Sequence, residues 1–280
     1  MWKMYKHDLT EGIGRRSVYL VLPVMISLFS CIGMHYKLVQ FQHINERLGN
    51  GTWMDYWMYF IQGGKQYKFS IFNFFEMPVR WICFYVLFLV CLNNYPLNDL
   101  KKMGTQIIIR SGSRLQWWIS KFLWLVTYAV VYMGICMVVV VLYALANGVS
   151  LDLHLTMSVA KVFTKQSFLR CSTLRLLCIA VVQPGLLLIL LGIFQMALSM
   201  KISEISAFIV MFAALVISSY KRNILLFGNW GMPYRMFPAA QHGLDPKLCL
   251  ILLCGSILVL LMAGWLLYEK RDILEDRRDI

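Results

Sequence analysis

Three uninterrupted apolar runs constrain this chain more than any other feature. Phe122 to Leu151, Leu176 to Met200 and Leu248 to Tyr268 contain no charged residue, and each reaches the roughly 20 residues a helix needs to cross about 30 Å of hydrocarbon. A water-soluble fold of 280 residues would have to hide all three in one core, yet 59% of the residues are hydrophobic and only 15% charged. With a mean hydropathy of +0.63, the composition predicts an all-α integral membrane protein, because helices satisfy their own backbone groups in lipid.

Three further runs are shorter or interrupted: Val18 to Met34, Trp81 to Leu97 with Pro78 and Arg80 at its lip, and Ile205 to Tyr220 with Glu204 at its start. Charged side chains at a helix end reach the interface along their own stems. The expectation is therefore one domain over residues 1–280 with six spans, at about 18–34, 79–97, 122–147, 176–200, 204–220 and 248–268. Sixteen mostly polar residues precede the first run, so it reads as a retained helix rather than a cleaved signal.

A net charge of +13 would suggest nucleic acid as partner of a soluble protein; here it belongs to the flanks of membrane segments, and membrane lipid is the expected partner. Lysine and arginine crowd the short N-terminal, 98–121 and C-terminal segments and are diluted in the longer alternate loops. Their density predicts both termini in the cytoplasm and a multi-pass protein of a plasma membrane. Of eight cysteines only Cys171 falls in a loop, and no metal-ligand spacing is present, so they read as small packing residues.

Between the spans, MWKMYKHDLTEGIGRR places Trp2, Tyr5 and Leu9 on one face of a short interfacial helix; a solvated basic flank is the alternative. The aromatic-rich stretch His35 to Glu76 predicts one or two helices lying on the outer surface. Asn147 to Leu174 sets Val159, Val162, Phe163 and Phe168 on one face of another, and the glycines and prolines between Lys221 and Lys247 predict a broken connection.

Catalytic patterns are missing. Gly63-Gly64-Lys65 has Tyr59 where a phosphate loop needs its first glycine and Gln66 where it needs Ser or Thr, so ATP hydrolysis is not expected on this chain. All five histidines lie in loops or at span ends, and no catalytic or metal residue is assigned. Polar residues inside spans are few: Asn93, Gln183 beside Pro184 and Gly185, and Gln195 are candidates for lining a translocation path, with helix packing as the alternative.

The segment Asn98 to Lys121 is too charged to be a span and too short to be a domain. Leu100, Met103 and Ile107 recur at helical spacing, while Lys101, Lys102, Arg110 and Arg114 supply cations. A short helix offering apolar knobs and positive charge to a cytoplasmic partner fits this pattern; a solvated positive-inside loop is the alternative. Trp117 and Trp118 are expected to mark the interface where the next span begins.

GTQIIIRSGSRLQWWISKFLW at Gly104 to Trp124, NILLFGNWGMPYRM at Asn223 to Met236, DYWMYFIQGGKQY at Asp55 to Tyr67 and EKRDIL at Glu269 to Leu274 resemble the type-2 ABC (ATP-binding cassette) exporter permeases, in particular the small Firmicute-type subunits that work with a separate ATPase. The resemblance implies six transmembrane helices, a connecting helix at Met1 to Gly12, a coupling helix at about Asn98 to Leu115, and re-entrant helices in Lys221 to Asp245. It further implies two permease chains, identical or not, above two copies of a cytoplasmic ATPase that carries ATP and Mg; no cofactor is expected on this chain. Apolar spans without buried charge suit an amphipathic or hydrophobic peptide as cargo, for export or self-immunity. A sensor or scaffold subunit that recruits a cytoplasmic partner without transport is the alternative reading.

Overall fold

The computed structural model describes residues 2–14, 17–44, 49–67, 75–92, 95–99, 113–163, 168–169, 171–240 and 243–269. Helix α1 (Trp2–Leu9) runs into a π-helical turn (Thr10–Gly14), and a 3-10 turn (Ser17–Leu20) opens α2 (Val21–Ile44). There follow α3 (Trp53–Ile61), α4 (Val79–Leu92), α5 (Tyr95–Asp99), α6 (Arg114–Ala146) and α7 (Met157–Val162). Helix α8 (Thr173–Leu177) passes through a π-helical turn (Cys178–Val182) into α9 (Gln183–Ser199), and α10 (Glu204–Tyr220) and α11 (Pro246–Glu269) complete the bundle.

Ser17–Ile44, Arg114–Ala146, Thr173–Ser199 and Pro246–Glu269 are long and apolar enough to cross a membrane, which marks the chain as a membrane protein. Helices α4 and α10 are apolar but shorter, with 14 and 17 residues. The chain passes back and forth between two ends of the bundle. Cys91 at the end of α4 meets the carbonyl of Tyr19 before α2, so these helices are antiparallel. The start of α6 lies against α1, and its far end leads to Ser150, whose carbonyl accepts from Trp53 N at 3.0 Å. Helix α6 has 33 residues, about 50 Å at about 1.5 Å per residue, and so outruns the hydrocarbon thickness.

Helix α9 is the hub, packing on α4, α6, α10 and α11. Gly192 lets it approach α6: a Cβ there would stand 2.5 Å from Leu125 Cδ1, the use of small residues expected where helices associate without a water-driven force. An aromatic column fills the space between α4 and α6. Phe84 and Phe88 meet the Tyr132 ring at 5.5 and 5.3 Å, and the Tyr132 hydroxyl donates to the Phe84 carbonyl at 2.8 Å. The aromatic tip thereby finds its polar partner inside the bundle.

One expectation changes. Helix α3 does not lie on the surface: all nine of its residues are buried, because WMDYWMYFI has no polar face to turn outward and Asp55 is consumed in the helix's own cap. Trp117 and Trp118 are buried inside the bundle, with Trp117 stacked on Tyr268 of α11 at 4.7 Å and Trp118 Nε1 donating to Leu261 O at 3.1 Å. In α1 the buried residue is Asp8, while Trp2 is exposed. Residues 221–240 hold two 3-10 turns, Phe227–Gly231 and Pro233–Arg235, in the broken connection the glycines and prolines predict. In the other amphipathic stretch Val159, Phe163 and Phe168 are buried but Val162 is exposed.

Candidate functional site

At the α1 end of the bundle a cluster of charges is closed off from solvent. Asp8 sits in the last turn of α1, where a negative charge opposes the helix dipole, so tertiary contacts must hold it there. Three donors converge on its carboxylate: Lys121 Nζ and, at 3.0 Å, Tyr95 OH on Oδ1, and Ser120 Oγ on Oδ2 at 2.6 Å. Lys121 Nζ also reaches Asp99 Oδ2, on the last residue of α5, at 2.6 Å. His7 Nε2 stands 3.7 Å from Asp99 Oδ1. Asp8 and Lys121 are each 1% exposed.

One ammonium thus bridges two carboxylates from two other helices, under the Tyr95 ring at 4.7 Å and the Trp117 ring at 5.3 Å. Charges taken out of water are tolerated only with such complete pairing, and removing one partner strands the others. The cluster fastens α1, α5 and α6 at one point. It flanks the basic segment directly, since α5 ends at Asp99 and α6 begins at Arg114. Ser113 caps α6 by accepting from Gln116 N, and Arg114 Nη1 donates to the Glu269 carbonyl at the end of α11 at 2.7 Å.

Of the residues assigned to the docking segment, Leu100, Lys101, Lys102, Met103, Ile107 and Arg110 lie outside the described residues, as does Asn93 of the candidate path. Arg114 is brought onto the end of α11. Gln183 and Gln195 are both buried on α9, but at different places. Gln183 Nε2 donates to the Pro246 carbonyl at 2.6 Å, joining α9 to the start of α11. Gln195 lines a void of about 10 Å³ with Leu125, Gly192 and Ser199, the space of about one water.

The break in the fourth apolar run has a specific repair. Pro184 has no N–H to return to the carbonyl four residues back, and Trp57 Nε1 of α3 donates to that oxygen, Ala180 O, at 2.8 Å.

At the opposite end, Arg235 is buried and its guanidinium covers the end of α10. It donates to the carbonyls of Ser218 and Ser219, to Lys221 O at 3.1 Å and Gly64 O at 3.2 Å, and to Asn229 Oδ1. The last carbonyls of a helix have no partner within it and carry the negative end of its dipole, which is what a fork of donors can answer. Burial, with Arg222 adding to it, pulls the Arg235 group down to about 10, so it remains a cation at neutral pH. Asp55 completes a capping box: it accepts from Thr52 N at 3.0 Å while Thr52 Oγ1 accepts from Asp55 N, and it also accepts from Thr156 N at 3.1 Å. Burial raises its carboxyl, and these hydrogen bonds pull the other way.

Lys121 enters a sequence reading only as a flanking cation. Asp8 and Asp99 are acids set in basic flanks, but a rule that counts lysine and arginine gives them no weight, so the sequence does not announce their pairing. Arg235, within NWGMPYRM, carries no sequence signal of burial.

No curated protein and no solved structure matches the chain. Residues 21–274 match the family described as "Protein of unknown function (DUF2705)", and the chain belongs to that family.

Proposed function

We propose that this chain is the transmembrane subunit of an ATP-driven exporter, a permease that works with a separate cytoplasmic ATPase. In this reading α2, α4, α6, the α8–α9 unit, α10 and α11 are six spans, both termini face the cytoplasm of a bacterial cell, and the 221–245 connection re-enters from the outside. Two such chains, or this one and a different permease, sit above two ATPase copies that hold ATP and Mg.

The observation that supports it most is the Asp8–Lys121–Asp99 cluster. A docking segment transmits force only if its ends are fixed to the spans, and here the residue before it and the helix after it are clasped with α1 by buried charge. Closure of an ATPase dimer against residues 100–112 would move α1, α5 and α6 together and switch the access of a cavity. The apolar spans suit an amphipathic or hydrophobic peptide, exported or expelled as self-immunity.

The test is affinity purification of the chain from its native cells in mild detergent, with and without Lys101→Glu, Lys102→Glu and Arg110→Glu together. A stoichiometric cassette ATPase that is lost from the charge-reversed chain supports the reading. Arg114 is left unchanged because its bond to Glu269 O serves the fold. Reproducible absence of an ATPase from the intact, correctly inserted chain would instead favour a sensor or scaffold subunit.

A further inference from the structure

Two cavities near the α3 end of α2 meet at a shared threshold of Arg80 and Tyr59. One is an apolar groove of about 400 Å³ between α2 and α4, and the other a polar chamber of about 560 Å³ beyond it, both within the ~300–1,000 Å³ of small-molecule sites. The groove follows Leu22, Ile26, Phe29 and Gly33 along α2, facing Cys83 and Leu87 of α4. Leu22 to Gly33 is eleven steps, about 16 Å at about 1.5 Å per residue, or about half of a ~30 Å hydrocarbon layer. It opens sideways, where Met25, Phe29 and Val79 are exposed. Its floor is hollow at Gly33, where an added Cβ would meet nothing within 4 Å.

The two helices are antiparallel, so Arg80 stands at the Gly33 end of the groove. Its guanidinium lies over the Tyr59 ring at 3.4 Å, and among the described residues no carboxylate pairs with it. Ser30, 4% exposed, lines the same end with a hydroxyl that has no hydrogen-bond partner among the described residues. In the chamber beyond, Lys37, Lys65 and Arg80 face a single acid, Glu76, among the described lining residues. An apolar slot one leaflet deep, closed at one end by cations in excess, has the outline of an anionic amphiphile.

We propose that the α2–α4 groove holds one acyl chain of an anionic phospholipid of the phosphatidylglycerol class, whose phosphate takes the Arg80 guanidinium and whose headgroup fills the chamber. Arg80 supplies a flat fork of donors that suits phosphate oxygens. The Tyr59 ring beneath holds that fork in place. The excess of cations favours a headgroup without an amine. The site stands on this chain alone, whatever its transport role.

The test is native mass spectrometry of the full chain in detergent, titrated with dioleoylphosphatidylglycerol, dioleoylphosphatidylcholine and dioleoylglycerol. A single phosphatidylglycerol adduct should form several-fold more readily than the other two. It should weaken by about tenfold or more in Arg80→Gln, which loses a charge-assisted hydrogen bond, and similarly in Gly33→Leu, which fills the hollow and leaves the cation in place. Gly33→Leu improves helix propensity in α2, so it reports on the groove even if Arg80→Gln disturbs the Tyr59 stack. Equal adducts for all three lipids, or full retention in both variants, would overturn the proposal. So would release of the lipid by inorganic phosphate, which would leave an anion site without an acyl groove. No ATPase is present in the measurement, so its failure leaves the exporter reading untouched.

Discussion

Lys121 of α6 holds Asp8 of α1 and Asp99 of α5 at the same time, and all three side chains are buried. Two carboxylates share one buried ammonium, and Tyr95, Ser120 and the more distant His7 offer only hydrogen bonds or a partly exposed imidazole in its place, so the effect of losing it is not that of losing a surface ion pair. Lys121→Met leaves both acids stranded and should destabilise the chain by about 3–5 kcal/mol. Adding Asp8→Asn and Asp99→Asn to Lys121→Met should recover most of that loss, since no charge then remains to be compensated. Thermal melting in detergent of the single and triple variants decides it; a triple variant no better than the single would show that packing, not charge, governs the junction.

Trp57 repairs the backbone break that Pro184 makes in the α8–α9 unit. Trp57→Phe keeps a ring in place but leaves the Ala180 carbonyl buried and unpaired, at a cost of about 1–3 kcal/mol. In a Pro184→Ala background the backbone regains an N–H and the same substitution should cost clearly less. The double-mutant cycle isolates that difference from the change in ring volume. Equal costs in both backgrounds would mean that the indole acts only by filling space.

The long spans were legible because nothing but a membrane helix accommodates a charge-free run of more than 20 residues: α6, α9 and α11 lie where Phe122–Leu151, Leu176–Met200 and Leu248–Tyr268 place them. Helix α2 extends past the apolar run Val18 to Met34. His35 and Lys37 look like a span's end in one dimension, yet α2 continues to Ile44, with His35 Nδ1 3.2 Å from the Tyr56 hydroxyl. Helix α3 is buried rather than lying on the surface: a short aromatic run fits both an interface and a core, and the apolar positions alone do not separate them.

The candidate site was legible in position but not in chemistry. The basic segment drew attention to residues 98–121, and the cluster is indeed at its borders. Its partner Asp8, however, is more than a hundred residues away in sequence, and no helical spacing links a residue of α1 to one of α6. Long-range pairing of this kind appears only when the bundle closes. Gln183 and Gln195 stand out in the sequence as polar residues inside spans and candidates for a path; in the bundle Gln183 joins the Pro246 carbonyl and Gln195 lines a one-water void.

Among the described residues Arg235 is the second buried cation, and it is answered by carbonyls rather than by an acid. Arg235→Met removes the guanidinium donors from the Ser218 and Ser219 carbonyls at the end of α10 and leaves the Lys221 carbonyl only Asn229 Nδ2, and should cost at least about 3 kcal/mol. Arg235→Lys keeps the charge but offers it from one point, and cannot span oxygens the planar fork reaches. It should therefore recover only part of the loss. Melting temperatures in the order wild type, Lys, Met are expected; Lys equal to wild type would show that charge alone suffices.

Asp55 gives the fold a dependence on pH whose sign follows from its burial. Desolvation raises the carboxyl above its ordinary 3.8, outweighing the hydrogen bonds from Thr52 and Thr156. Below about pH 4 both folded and unfolded chains hold the proton and burial costs no charge. As pH rises, the unfolded chain releases its proton first. The native state then binds more protons, so the stability that Asp55 contributes falls until the raised native value is passed. Asn at this position keeps a side-chain acceptor for Thr52 N and does not titrate. The melting temperature of the wild type minus that of Asp55→Asn should therefore decline from about pH 4 toward neutrality. A difference that grew with pH would mean that the cap's hydrogen bonds to the ionised carboxylate outweigh its burial.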